Sequence, residues 1–319
     1  MLKAAFIGAG SRSRRAHYPI VHRLKEDIEV AAVCEMNEEF MQAVVNEFGI
    51  SRSYTDHQQM LREVEPDVVY CVMNEKWLLQ PALDCLNAGT HLLVEKPVGK
   101  TLTEAQQIHD AAVANEVCCL VGHQRRYAAV TREAMRIVNA SGAVSQVCAT
   151  FNKHLLGDKA FESTSTLWND ACHIVDLVRY MSGGEPAKVT AYRDKFGSDH
   201  YNSYVALVRF DNDATGTIVA NRASGGRILK AELHGVGVGC YLDLPDRISI
   251  AENDEMRTIS AWEIDGDDPS DKSAYGGELQ MHLDLVNCIE NGGFPITDIR
   301  DVIKTVRLLN EIEAVEYRG

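Results

Sequence analysis

The sequence predicts an α/β chain in two parts. Residues 1–122 read as a doubly wound parallel sheet, and residues 123–319 as an α+β part with a large, mostly antiparallel open sheet. Three observations carry this. Continuous apolar runs alternate with helical patterns through the first third of the chain. A glycine-rich turn directly follows the first run. Past Gly122 the texture changes to short strands separated by Gly, Asp and Asn turns.

The runs fall at residues 4–7, 30–33, 68–73, 92–94 and 117–121, with a short stretch at 53–55 as a sixth. Unbroken apolar runs of this length suit strands buried on both faces. Asp56 is placed to cap a helix over residues 58–64, and Thr103-Glu104-Ala105-Gln106 reads as a capping box opening another. Pro19 is expected to bend the first helix or end it early. The second part reads as a helix over 131–138, a strand over 143–151 and a helix over 166–181 stopped by Ser182-Gly183-Gly184. Strands follow at 188–192, 204–210, 216–220, 228–234, 240–244 and 257–262, then helices at 278–290 and 298–317.

Composition excludes several classes of function. Of 319 residues, 32 are Lys or Arg and 46 are Asp or Glu, giving a net charge of −14. Such a surface repels phosphate backbones and anionic lipid, so neither nucleic acid nor a membrane surface is an expected partner. No apolar run approaches the length of about 18 residues that spans a bilayer. The N-terminal apolar stretch is too short for a signal peptide and reads as a strand. Nine cysteines, an odd number without a CxxC, suit a reducing, cytoplasmic location rather than a disulfide framework or a zinc site. The run Asp265-Gly266-Asp267-Asp268-Pro269-Ser270-Asp271 lacks the spacing of a calcium loop and reads as a solvated loop, so no metal is expected.

Gly8-Ala9-Gly10-Ser11-Arg12-Ser13 joins the first strand to the first helix. The first Gly allows the tight turn, and the second lets backbone approach a pyrophosphate at the helix N-terminus. Ser13 replaces the third Gly and is small enough for close packing. Glu35 ends the second strand, 25 residues after Gly10, about where a dinucleotide fold places the carboxylate that binds ribose hydroxyls. Glu95-Lys96-Pro97 follows the strand at 92–94, and ligands in such sheets bind beyond the carboxyl ends of strands. Lys96 there can donate to a substrate hydroxyl or help move a proton, and Pro97 disfavours helix at Lys96.

On a helix, placing His173 at 0° puts Asn169, Asp176 and Tyr180 within about 60° of it, beside an apolar stripe of Ile174, Leu177, Val178 and Met181. His173 is the natural proton acceptor or donor, with Asp176 one turn away to orient it. His282 interrupts the apolar positions of its helix and reads as a satisfied structural histidine. Asn152-Lys153-His154, after a second-part strand, is a candidate pocket lining.

Gly8-Ala9-Gly10, Ala88-Gly89-Thr90-His91-Leu92-Leu93-Val94-Glu95-Lys96-Pro97, Gln124-Arg125-Arg126-Tyr127 and His173-Ile174-Val175-Asp176 before Gly183-Gly184 together resemble the glucose–fructose oxidoreductase / inositol dehydrogenase / rhizopine-catabolism (Gfo/Idh/MocA) family. The resemblance is specific in residues 1–127 and 165–184 and faint from 188 to 275. It implies a Rossmann domain, a C-terminal domain whose open sheet often serves oligomerisation, a nicotinamide cofactor, and a sugar, cyclitol or related polyol substrate. The family's catalytic lysine falls on Lys96, and cofactor contacts fall near Gln124 and Arg125. The expected cofactor-binding set is Gly8, Gly10, Ser11, Arg12, Glu35, Asn74, Glu95, Lys96, Gln124 and Arg125.

The family often carries Asp four residues before this histidine, where this chain has Asn169. Either Asp170 takes the role through a local irregularity, or Asn169 only hydrogen-bonds substrate and leaves the proton to His173 and Lys96. The expected catalytic set is therefore Lys96, His173, Asn169, Asp170 and Asp176. Glu35 favours NAD over NADP, against which Arg12, Arg14 and Arg15 compete as partners for a 2′-phosphate. The expected activity is hydride transfer between nicotinamide and a secondary alcohol or ketone of a polyol, by a homodimer or homotetramer. The alternatives are a non-catalytic nucleotide-sensing regulator and an NAD-dependent glycosidase on the same scaffold.

Overall fold

In a computed structural model, which describes residues 1–156 and 165–315, the chain divides into two compact units. The first comprises Met1–Gly122 and Glu278–Ile303, the second His123–Gly277 and the residues from Lys304 on. The division after Gly122 is where the composition changes, but 278–303 joins the N-terminal unit, whereas the sequence reading placed it in the C-terminal part.

The first unit alternates strand and helix: β1 (Leu2–Ile7), α1 (Tyr18–Arg23), β2 (Ile28–Cys34), α2 (Glu38–Phe48), β3 (Ser53–Tyr54), α3 (His57–Val64), β4 (Val68–Cys71), α4 (Glu75–Asn87), β5 (His91–Val94), α5 (Leu102–Ala114) and β6 (Cys119–Val121). The six strands are parallel in the order β3-β2-β1-β4-β5-β6, so the order reverses between β1 and β4. That reversal opens a crevice at the strand ends. Phe6 stacks between Tyr18 and Tyr70, with centroids 3.9 and 4.7 Å away, at the centre of the core.

Side-chain caps start most of these helices. Asp56 accepts from the Gln58 N–H, as expected. The box ahead of α5 lies two residues earlier than read: Thr101 accepts from the Glu104 N–H, and the Glu104 carboxylate accepts from the Lys100 N–H. This arrangement satisfies two donors and leaves Thr103 inside the first turn. Pro19 neither bends nor ends α1. A π-helical turn over Ser13–His17 precedes it, and Pro19 occupies the first turn of α1, where a missing N–H costs little.

The second unit contains α6 (Ala129–Ser141), β7 (Gln146–His154), α7 (Cys172–Ser182), β8 (Pro186–Asp194), β9 (Ser203–Phe210), β10 (Thr215–Asn221), β11 (Ala223–Gly235), β12 (Val238–Asp243), β13 (Arg247–Glu252), β14 (Glu255–Ser260), α8 (Ala261–Asp265) and α9 (Lys272–Tyr275). Its sheet runs β14-β13-β12-β11-β7-β10-β9-β8, antiparallel except for the β7–β10 pair. The sequence reading missed β13, a six-residue alternation whose Ile248 and Ile250 point inward. It also ran the last strand into Trp262, where a capping box at Ser260 and Glu263 starts α8 instead.

Two helices end the chain, α10 (Glu278–Asn291) and α11 (Ile299–Ala314). The last expected helical residues, 316 and 317, lie outside the described ones. Strand β9 alternates between a buried face and an open one, and Val205 and Leu207 on the open face are 41% and 57% exposed. Tyr192, paired with Val205 on β8, is 57% exposed. Among the described residues no helix is long and apolar enough to cross a membrane.

Candidate active site

The glycine turn of the first unit follows β1. Gly8 sits at φ +104°, and a Cβ there would lie 2.2 Å from the Val72 carbonyl oxygen, so only glycine fits. Ser13 turns its departure from the glycine pattern to use: its buried hydroxyl donates to the Gly8 carbonyl at 2.8 Å. Gly10 meets no heavy atom within 4 Å where a Cβ would be, and it lines a cavity of about 640 Å³ with Gly8, Glu35, Asn37, Asn74 and Trp77. Asn74 accepts from the Lys76 N–H and caps α4.

Glu35 is held at both oxygens. Oε2 accepts from the Ala9 N–H at 2.8 Å and Oε1 from the Asn37 N–H at 2.9 Å. Each oxygen keeps a lone pair for a ribose hydroxyl. None of the three arginines of the turn is directed to a 2′-phosphate in these contacts. Arg12 donates to Glu95, Arg14 pairs with Glu47, and Arg15 donates to the Ser11 carbonyl. The cradle therefore fits a dinucleotide with free ribose hydroxyls.

Past β5, Glu95 is 8% exposed and its Oε1 accepts from Arg12 Nε at 2.6 Å and faces His17 Nε2 at 3.0 Å. Its Oε2 accepts from the Lys96 N–H at 3.2 Å. Burial pushes this carboxyl up, but the His17 hydrogen bond and the Arg12, His17 and Lys96 charges outweigh it and hold the group well below the usual carboxylate range. Lys96 is half-buried, and residues 96–100 bend without entering a helix. His282, on α10, is fully buried and satisfied: its Nδ1 donates to the Glu278 carbonyl at 2.7 Å, and burial pushes the imidazole down to about 3.

In the second unit a short 3₁₀ turn, Gln124–Arg126, holds Gln124 buried and Arg125 half-buried. Its third residue, Arg126, which the sequence reading gave no role, is a fully buried cation. Arg126 grips Asp176 with Nε and Nη2 at 2.8 and 2.5 Å and stacks on Tyr180 at 4.7 Å. Thr305 donates to the same carboxylate at 2.9 Å. The Asp176 oxygens serve Arg126 and Thr305, and His123 Nδ1 lies 3.8 Å from the same carboxylate. His173 is 9% exposed and meets the His123 ring edge-on at 5.7 Å. Burial raises the Asp176 carboxyl, but the Arg126 and His123 charges and the Arg126 and Thr305 hydrogen bonds hold it low.

The helix carrying His173 begins irregularly. Leu167–Ala171 forms a π-helical turn before α7, the local irregularity that the sequence reading left open, and Asn169 and Asp170 both lie in it. Asp170 accepts from Lys153 Nζ at 2.6 Å and Arg222 Nη2 at 2.7 Å, and Asn169 Oδ1 lies 3.4 Å from the same Arg222 nitrogen. Lys153 and Arg227 both lie over the Phe151 ring.

These groups set the response to acid. Folded His282 stays neutral down to about 3, whereas an unfolded histidine takes a proton near about 6.5. The unfolded chain binds more protons across that window, so stability rises with pH there. Glu95 and Asp176 act with the same sign lower down, contributing above about pH 4 and losing that contribution as pH falls. Urea midpoints are expected to drop steadily from neutral pH into acid. A flat midpoint through the histidine range would show that His282 binds its proton equally in both states.

Comparison with known proteins agrees with this geometry. Residues 2–123 match the model of an oxidoreductase family with an NAD-binding Rossmann fold, and residues 132–237 match the GFO/IDH/MocA C-terminal domain. The chain is 26% identical over 192 residues to the D-glucoside 3-dehydrogenase of Escherichia coli, covering 57% of this chain and 54% of that one, about half its length. It is 25% identical over 331 aligned positions to a 4-carboxy-2-hydroxymuconate-6-semialdehyde dehydrogenase of a Sphingobium species, covering all of both chains. A levoglucosan dehydrogenase solved with NADH and levoglucosan superposes with a TM-score of 0.86 at 19% identity, over 98% of this chain and 96% of that one. With both domain models matched in order along most of its length, the chain belongs to the Gfo/Idh/MocA family of NAD-binding oxidoreductases.

Proposed function

We propose that this chain is an NAD-dependent dehydrogenase or reductase acting on a secondary alcohol, or the matching ketone, of a sugar, cyclitol or related polyol. The observation that carries this is the glycine-turn cavity with Glu35 fixed at its ribose end, in a unit that also presents Lys96 beyond β5. Bound NAD supplies the hydride chemistry. Lys96 donates to the substrate oxygen, and His173 takes the hydroxyl proton in oxidation or returns it in reduction. Asp170 is committed to Lys153 and Arg222, so proton handling falls to His173 and Lys96, while Asn169, Asp170 and Asp176 position. The test is a panel of polyols and keto-sugars followed at the reduced-nicotinamide absorbance band, with any co-purified nucleotide identified after denaturation. Turnover of at least one class is expected. Tight dinucleotide binding with no turnover across the panel would favour the nucleotide-sensing alternative.

A carboxylated substrate is a second reading. It is favoured by Lys153 and Arg222 pairing with Asp170, with Arg227 and Lys153 both over the Phe151 ring, and by the name of the relative matched end to end. Aldonates and uronates belong in the panel for this reason.

The cofactor prediction concerns Glu35. A 2′-phosphate there meets a fixed like charge, which favours NADH over NADPH by about 1–3 kcal/mol, or about ten- to hundredfold. Titrating both nucleotides into wild type and Glu35→Ser is expected to show that preference shrink in the variant. Unchanged preference would mean Glu35 does not read the ribose.

The open face with Tyr192, Val205 and Leu207 supports a homodimer or homotetramer built on the C-terminal sheet. Light scattering at micromolar concentration is expected to give a multiple of 35.3 kDa, and a monomer would remove the idea. The buried thiols, with Cys34, Cys71 and Cys118 pushed up to about 12 chiefly by burial, support residence in a reducing cytoplasm.

A further inference from the structure

Strand β11 loses its register where it passes the end of β7. Ala223 pairs with His154 and Ile228 with Asn152, so five residue steps on β11 run against two on β7. The extra residues form a bulge that contains Gly225 and Gly226, and a Cβ built on either glycine meets no heavy atom within 4 Å. Bulges re-aim side chains. This one brings the Arg227 guanidinium over the Phe151 ring, 4.9 Å from its centroid. Lys153, two residues after Phe151 and on the same face of β7, places Nζ 5.1 Å from the same centroid.

Lys153 ties this pair to the turn before α7. Lys153 Nζ and Arg222 Nη2 both donate to Asp170 Oδ2, at 2.6 and 2.7 Å, and the Arg222 side chain is 3% exposed. Two cations thus share that carboxylate, and among the described residues Arg227 has no acidic partner. Burial, helped by the Arg227 and Arg222 charges, outweighs Asp170 and pushes the Lys153 ammonium below the usual lysine range. Positive charge is in excess here although the chain as a whole carries −14, so an anion is drawn to this spot and repelled elsewhere.

We propose that Arg227 and Lys153 form an anion subsite for the carboxylate of a sugar acid whose reacting carbon lies away from its carboxylate end. A guanidinium offers a carboxylate a planar fork, and the Phe151 ring holds that plane in place. Arg222 Nη2 reaches Asn169 Oδ1 as well as Asp170, and these residues stand about one helical turn before His173, roughly 5 Å along the axis. A 2-hydroxy acid carries its hydroxyl on the carbon beside the carboxylate and cannot span a turn, whereas a hexuronate or hexonate can. Asp170 opposes a phosphate dianion more strongly than a monoanion, which favours carboxylate over phosphate. The turnover of such an acid rests on the proposed dehydrogenase reading; its binding does not.

The test saturates the protein with NADH and titrates ligands by calorimetry: the uronates and aldonates of glucose, galactose and mannose, the parent hexoses, glucose 6-phosphate and L-lactate. At least one sugar acid is expected to bind about tenfold or more tighter than its parent hexose, the scale of one charge-assisted bond. Arg227→Met keeps an apolar stem on Phe151 without the charge, and its exposed position spares the core. It is expected to lose most of that preference, and Arg227→Lys to regain part of it. Wild type without the preference, or Arg227→Met that retains it, would overturn the proposal. Glucose 6-phosphate or L-lactate binding as tightly as the best sugar acid would overturn the choice of a remote carboxylate. An acid preference in binding with no turnover of any ligand would defeat the dehydrogenase reading and leave the subsite standing. Turnover of hexoses with no acid preference would do the reverse.

Discussion

Lys96→Ala and His173→Ala are each expected to lower turnover by about two to four orders of magnitude, the usual scale for a positioned proton-transfer group. Lys96 stands beyond the carboxyl end of β5, its backbone N–H held by Glu95. His173 is nearly buried and is the titratable ring of its helix with a reference pKa of about 6.5, close to working pH. Neither side chain builds the cavity around the glycine turn, so NADH affinity should change far less than turnover. Stopped-flow hydride transfer with the substrate found in the panel, beside an NADH titration, separates the two. Near-normal turnover in both variants would mean that the reaction's proton travels elsewhere.

Asp176→Ala is expected to cost about 3–5 kcal/mol of stability, because it strips the partner from a buried charge. Arg126 has no exposed side-chain surface, and two of its nitrogens donate to this carboxylate. Truncation leaves that guanidinium, and the Thr305 hydroxyl, without the acceptor that justified their burial. The informative comparison is Asp176→Leu combined with Arg126→Met, which removes both charges and should recover much of the loss. An Asp176→Ala protein melting within a degree or two of wild type would show that Arg126 finds another acceptor.

What the sequence disclosed about this molecule is what short range determines. The glycine turn, the parallel strands and Glu35 are legible because each depends on its neighbours or on a fixed spacing. The offset of the α5 cap from Thr103 to Thr101 shows the limit of that method, since both threonines satisfy a local pattern and only the helix start decides. The sequence left Asp170 and Asn169 as alternatives, because the π-helical turn that holds both is not marked by any local pattern. The roles of Arg126 and His17 were not legible at all. His17 and His282 stand 265 residues apart, and no window on the sequence joins them. Asp176 draws Arg126 from the turn after β6 and Thr305 from α11, partners that a projection of its own helix cannot show.

The return of residues 278–303 to the first unit bears on how such a protein can be cut and inherited. Strand β6 is the edge of its sheet, and this segment covers that edge: Val121 donates to the Thr297 carbonyl, Cys119 donates to Asp298, and Arg300 reaches the Val117 and Ala112 carbonyls. A fragment ending at Gly122 would carry the whole dinucleotide fingerprint yet expose a bare strand edge and leave His17 facing the hole left by His282. Such a fragment invites edge-to-edge aggregation. Recombination that exchanges residues 1–122 alone would meet the same penalty, so that stretch and residues 278–303 are expected to be inherited as a pair.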